Sequence, residues 1–189
     1  MSRVAGQVAA RLISLNSLMI LIVDDKAENL YSLRKLLELH HFRVDTSDSG
    51  EDALKKILRN HYALIILDVQ MPGMDGFEVA EAITGFGKSK DIPILFLSAV
   101  KINKTFITRG YNSGGIDYVT KPFDPDVLLL KVRTFYRLSE QRRELEEIQR
   151  QLREEIEYRK KAEEELSHSV EELRSVLEAI PQMACITDE

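Results

Sequence analysis

Leu64-Ile65-Ile66-Leu67-Asp68-Val69-Gln70-Met71-Pro72-Gly73-Met74-Asp75-Gly76 decides the reading of this chain. An unbroken apolar run ends on one carboxylate, and a loop rich in proline and glycine follows at once. A short apolar run bounded by turn residues reads as a strand buried on both faces, the kind found in a parallel sheet. Asp68 then sits at the C-terminal end of that strand, the edge of an open α/β sheet where ligands collect. Taken alone, Asp68 could equally cap a turn. A second strand with the same ending, Leu18-Met19-Ile20-Leu21-Ile22-Val23-Asp24-Asp25, argues otherwise. Two buried parallel strands bring three carboxylates to one edge, an oxygen-rich pocket suited to a hard cation such as Mg²⁺.

Outward from this stretch, strands and helices alternate. Lys26–His40 places Leu30, Leu33, Leu36 and Leu37 on one helical face, and Phe42–Thr46 reads as a short strand. Ser49 caps a helix with Glu51 and Asp52 in its first turn, where the helix dipole favours acids. A helix over about Phe77–Ile83 is closed by Gly85 and Gly87. The buried strand Ile92–Ser98 carries Pro93 near its start, where a missing N–H is tolerated. A weaker helix is expected over Lys104–Tyr111, broken by Gly114-Gly115 before the strand Ile116–Val119. Asp124-Pro125 is a helix start, an N-cap followed by proline at the first helical position. Repeated βαβ units at this spacing predict an α/β fold, a five-stranded doubly wound parallel sheet.

From Asp126 to Ile180 the chain has no glycine and no proline and is dense in Glu, Arg, Gln and Leu. Leu138, Leu145, Leu152, Leu166, Leu173 and Ile180 recur at heptad spacing, with Arg159 in the remaining slot. A heptad strip of this length predicts a coiled coil, most simply a parallel homodimer. At a rise of about 1.5 Å per residue, residues 138–180 would form a rod on the order of 65 Å long, ended by Pro181.

The 189 residues, 44% of them hydrophobic, suffice for one domain and an extension. A formal net charge of −5 gives no reason to expect direct nucleic-acid binding. Cys185 is the sole cysteine, so no internal disulfide forms and a reducing, cytoplasmic setting is the simpler expectation. No apolar run approaches the roughly 20 residues that span a bilayer. Residues 1–17 read as a poorly ordered leader, because Arg11 interrupts the apolar part a signal peptide would need.

Ser98, Tyr118 and Lys121 lie on or just past the ends of later strands, at the same edge as Asp24, Asp25 and Asp68. Taken singly they could be a turn residue, a boundary aromatic and a solvated cation; their joint spacing is what marks a site. The Asp24-Asp25 pair, Asp68 within Asp-Val-Gln-Met-Pro-Gly-Met-Asp-Gly, Leu97-Ser98-Ala99, and Asp117-Tyr118-Val119-Thr120-Lys121-Pro122-Phe123 closely resemble the receiver domain of two-component response regulators. The resemblance covers residues 18–137 and implies a flavodoxin-like receiver. It implies that Asp68 is the phosphoacceptor, taking a phosphoryl group from a histidine kinase or phosphotransfer protein. It further implies Mg²⁺ held by Asp25, Asp68 and the backbone carbonyl of Gln70, with Asp24 acting mainly through water. Lys121, Ser98 and Ala99 would contact the phosphoryl oxygens, and Ser98 with Tyr118 would form the switch. Ser98 stands where the family more often has Thr, and Gly115 where Ala is usual.

Glu172–Pro181 with Ile186-Thr187-Asp188-Glu189 resembles the lead-in helix and first strand of a PAS sensor domain, so residues 181–189 are expected to begin such a domain. His168 lacks the residues that follow the phosphoacceptor histidine of kinases and reads as a solvated coil histidine. Two other function classes remain in view. A Mg²⁺-dependent aspartyl-phosphate phosphohydrolase would want an acid two positions after the nucleophile, where Gln70 stands. An unphosphorylated scaffold would not need the acidic pair, Ser98 and Lys121 together.

Overall fold

The computed structural model describes residues 18–85, 87, 89, 91–99 and 116–184, with side chains as far as Leu177. The expected leader 1–17, the helix over Lys104–Tyr111 and the PAS-like strand Ile186–Glu189 lie outside the described residues.

Five strands form one parallel sheet: β1 (Met19–Val23), β2 (Val44–Ser47), β3 (Tyr62–Asp68), β4 (Ile94–Ser98) and β5 (Asp117–Thr120). Their spatial order is β2-β1-β3-β4-β5, the doubly wound order of flavodoxin-like sheets. The described helices are α1 (Ala27–Leu39), α2 (Gly50–Arg59), α3 (Gly76–Gly85) and α4 (Pro125–Ala184).

Alternation along each central strand builds the core on both faces. Leu21, Val23, Ile65, Leu67, Ile94 and Phe96 point to one side and meet Ala53 and Ile57 of α2 and Phe77, Val79, Ala80 and Ile83 of α3. Ile20, Ile22, Leu64, Ile66, Leu95 and Leu97 point to the other and meet Leu33 and Leu37 of α1 with Leu128, Leu129 and Val132 of α4. A strand that is apolar at every position therefore has a partner layer for each face, which is why β3 is buried along its whole length.

The expected caps are made. Ser49 Oγ accepts from the Asp52 N–H at 3.4 Å, and Asp124 Oδ1 accepts from the Asp126 N–H at 2.8 Å. The second strand starts at Val44 rather than Phe42, because Phe42 N–H is spent on the carbonyl of Leu37 closing α1. Pro181 does not end the last helix, which continues to Ala184. Proline removes one i→i−4 hydrogen bond, and a helix already near its end can carry that single loss.

The chain divides into two units, the first ending at Arg142 and the second starting at Arg143. The first reaches past residue 137 because Ser139 is buried there, its hydroxyl donating to the carbonyl of Ala63 at 2.6 Å. In the second unit the helix is decorated with ion pairs one turn apart, Arg150 with Glu147 and Glu154 and Arg159 with Glu155. Among the described residues, no helix is long and apolar enough to cross a membrane.

The loop after β3 turns back on the strand end through Gly76, whose N–H donates to the Val69 carbonyl at 3.0 Å. A Cβ at Gly76 would lie 2.3 Å from the carbonyl oxygen of Asp68 and 2.9 Å from Val69 Cα. Both neighbours are backbone and cannot yield without moving the acceptor strand. Gly76→Ala is expected to destabilise the fold by at least about 2 kcal/mol, read as a lowered urea unfolding midpoint. An unchanged midpoint would contradict this packing.

Candidate functional site

The ends of all five strands converge at the C-terminal edge of the sheet. β1 stops at Val23, and the Asp24 N–H donates to Ser47 at the end of β2, seating the acidic pair against the neighbouring strand. Asp68 is the last residue of β3, opposite Leu97. Lys121 follows β5, and its N–H donates to the Ser98 carbonyl at 2.7 Å, so the ends of β4 and β5 are tied where the lysine leaves the sheet. The Lys121–Pro122 peptide is cis.

The lysine reaches across to both acidic strand ends. Its Nζ donates to Asp24 Oδ2 and to Asp68 Oδ1, each at 2.7 Å. Asp24 is fully buried and Asp68 nearly so. One carboxylate oxygen from each of Asp24, Asp25 and Asp68 lies within 4.8 Å of the others. Burial pushes the Asp68 carboxyl above its ordinary value; Lys121 opposes that, while the charges of Asp24 and Asp25 add to it. For Lys121, burial alone would lower the ammonium, but hydrogen bonds to Asp24 and Asp68 and their charges outweigh it and hold it raised.

The other expected site residues sit close in sequence to this edge but differ in exposure. Ser98 ends β4 and is fully buried, and Ala99 after it is exposed. Gln70, two residues past Asp68, has an exposed side chain, so only its backbone is offered to the pocket chemistry expected of it. Tyr118 is opposite Phe96 in the β4–β5 pair and packs, half-buried, against the core layer beneath α2 and α3.

A divalent cation fits this donor set. Asp25 Oδ1 is buried and has no hydrogen-bond partner among the described residues, whereas such an oxygen ordinarily finds one. Three carboxylates against one ammonium leave negative charge in a nearly dry pocket, and hard oxygen donors suit Mg²⁺.

The family model of the response regulator receiver domain matches residues 20–133. The chain belongs to that family. This receiver is 37% identical to the transcriptional regulatory protein ResD of Bacillus subtilis (strain 168) over 126 residues, 67% of this chain and 51% of ResD. It is likewise 37% identical over 118 residues to SrrA of Staphylococcus aureus (strain NCTC 8325 / PS 47), 62% of this chain and 47% of SrrA. The chain thus spans about half the length of the curated relatives it matches. Among solved structures, the chemotaxis protein CheY4 of Vibrio cholerae superposes with a TM-score of 0.60 at 29% identity, covering 63% of this chain and 98% of that one.

Two features of the receiver site were not read from the sequence. Asn29 Nδ2 donates to both oxygens of Asp24, at 2.8 and 2.9 Å. An amide five residues after Asp24, in the first turn of α1, is a recoverable signal. Asp75 and Glu78 form a reciprocal cap at the start of α3, each side chain accepting from the other's N–H at 2.8–2.9 Å. The Asp-x-x-Glu spacing encodes it.

A raised Asp68 carboxyl has a consequence for stability. The folded state holds the proton more tightly than the unfolded chain, so this group favours folding below the ordinary carboxylate value of 3.8 and ceases to as pH rises through the raised one. Asp68→Asn removes a charge that folding disfavours. In metal-free buffer at pH 7 the Asn variant should melt above the native protein, with the gap closing as pH falls toward 4. Adding Mg²⁺ should raise the native melting temperature and leave that of the variant little changed. A variant that melts lower at pH 7 would contradict this reading of the site.

Proposed function

We propose that this protein is a phosphorylation-controlled signalling receiver whose acceptor is Asp68. The observation that carries the reading is Lys121 Nζ held 2.7 Å from both Asp24 and Asp68, beside a buried, unpartnered Asp25 oxygen. A carboxylate at the end of a rigid central strand is fixed for in-line attack, and positioning with electrostatics supplies most of the catalysis in phosphoryl transfer. An Asp68 oxygen attacks the phosphorus of a phosphohistidine on a kinase or phosphotransfer partner. The P–O bond forms as the P–N bond breaks, and the electron pair returns to the imidazole nitrogen. Asp25, Asp68 and the Gln70 carbonyl would hold Mg²⁺, with Asp24 contributing mainly through water; the cation supplies neutralisation of charge on the phosphoryl oxygens. Lys121 exchanges its contact with Asp68 for one with a phosphoryl oxygen, and Ser98 with the Ala99 N–H receives others.

The switch follows from the same edge. The new dianion draws the Ser98 hydroxyl, and the ring of Tyr118, two positions before Thr120 and in the same layer as Phe96, takes the space behind it. The output is a second copy of the chain paired through the heptads of α4. Leu138, Leu145, Leu152, Leu166 and Leu173 are each more than half exposed on the single helix, an arrangement that a parallel partner helix would bury. A PAS-like sensor region would then follow residue 180, and the whole would work in the cytoplasm.

Incubation with Mg²⁺ and a small phosphodonor such as acetyl phosphate is expected to give one acid-stable, base-labile adduct per chain, absent from Asp68→Asn. Undiminished labelling of that variant would overturn the assignment.

The heptad strip admits two seams. Residues three earlier supply Phe135, Ile156, Val170 and Leu177, with Arg142, Gln149 and Glu163 intruding. Residues three later supply Ile148, Ala162 and Val176, with Gln141, Glu155 and Ser169 intruding. Single cysteines at Gln149 and at Ile148, in a Cys185→Ser background, report the two seams. Disulfide crosslinking is expected at both sites, with a ratio that phosphorylation changes. No crosslink at either would remove the parallel dimer, and a ratio indifferent to phosphorylation would leave only a passive pairing.

A further inference from the structure

Asp24 is the most completely satisfied acid of the site. A carboxylate offers about four lone-pair positions, and three donors engage both of its oxygens here, the Asn29 amide bridging the two. Oδ1 accepts from the Lys26 N–H at 3.0 Å and from Asn29 Nδ2 at 2.8 Å; Oδ2 accepts from Asn29 Nδ2 at 2.9 Å and from Lys121 Nζ at 2.7 Å. Asp25, next in the chain, has a buried oxygen with no partner among the described residues. Two adjacent acids at one strand end are therefore in opposite states, one engaged on both oxygens and one with an open oxygen, and the Asn29 amide is the donor that bridges both oxygens of Asp24.

Resting on the proposed reading of the site, we infer that Asn29 is a positioning residue that withholds Asp24 from the cation and limits its grip on Lys121. Two effects act in the same direction. The amide bridges both oxygens and fixes the carboxylate plane, so Asp24 is held from turning directly onto a metal bound by Asp25 and Asp68. Its N–H dipole also offsets part of the Asp24 charge, alongside the Lys26 N–H and the Lys121 ammonium. Without Asn29 the buried carboxylate becomes a stronger acceptor for both positive neighbours. The cation is then bound more tightly. Lys121 is held more firmly on Asp24 Oδ2, when transfer needs it on the phosphoryl oxygens. One substitution should thus move two quantities in opposite senses, which general loosening of the pocket would not do.

The test compares Asn29→Leu, which removes the donor at similar volume, with Asn29→Ala in case leucine does not fit, each checked for cooperative thermal unfolding. MgCl₂ binding is measured by calorimetry, and labelling by acetyl phosphate is followed across Mg²⁺ concentrations. The native protein must bind Mg²⁺ and Asp68→Asn must fail to label; if either does not hold, it is the reading of the site that falls. Given both, loss of the amide should tighten Mg²⁺ binding about tenfold, the low end of the scale of one hydrogen bond to a charged group, and lower the labelling rate at saturating Mg²⁺. In an Asp24→Asn background, where there is no charge to offset, the same substitution should change Mg²⁺ affinity less than twofold. Weaker or unchanged Mg²⁺ binding in Asn29→Leu and Asn29→Ala, or an equal effect with and without the Asp24 charge, overturns the role assigned to Asn29.

Discussion

Lys121 bridging Asp24 and Asp68 is the contact on which the site depends. Three carboxylates brought within 4.8 Å of one another in a nearly dry pocket repel, and without a positive group the edge of the sheet would favour splaying apart. The ammonium joins the ends of β1 and β3, while its own backbone N–H ties β5 to β4. One residue therefore links four strand ends. A buried ion pair of this kind is weak evidence for net stability, since desolvation offsets much of the attraction. Its significance is positional, because it holds a buried carboxylate that, on the proposed function, would exchange this partner.

That exchange separates the site from the rest of the core. The apolar layers on either face of the sheet are close-packed and have one arrangement. The charged edge has more than one on the proposed function, since the Asp68 carboxylate would in turn pair with Lys121, hold a divalent cation and carry a phosphoryl group. Function is concentrated where the fold leaves this choice open. Gly76 pressing on the carbonyl of Asp68 shows the complementary constraint, a backbone that must not move while the side chains re-pair.

The last helix serves two structures in succession. As far as Ser139 it belongs to the receiver, with Leu128, Leu129 and Val132 in the core and two hydroxyls, Tyr136 to the Leu18 carbonyl and Ser139 to the Ala63 carbonyl, fastening it to the starts of β1 and β3. Beyond Arg143, ion pairs a turn apart support the backbone. Such exposed pairs contribute little individually, a few tenths of a kcal/mol. The leucine row beside them is exposed on the single helix.

The sequence by itself determined the five strands, their parallel order and the family. Those features rest on local patterns: apolar runs such as Leu64–Leu67 that exclude a solvated face, caps at Ser49 and Asp124, and acids placed directly at strand ends. It also foretold that Asp24, Asp25, Asp68 and Lys121 would share one edge, because a parallel sheet delivers all its C-terminal ends to the same side. It did not foretell which acid would be engaged on both oxygens and which left with an open oxygen. Asn29 and Lys121 reach Asp24 from five and 97 positions along the chain, and only packing α1 and β5 beside β1 brings both donors to it. The end of the last helix was likewise misplaced at Pro181, since proline's cost depends on how much helix remains to support it. Periodicity and caps are written residue by residue, whereas hydrogen-bond saturation in a buried pocket is a property of side chains that meet only after folding.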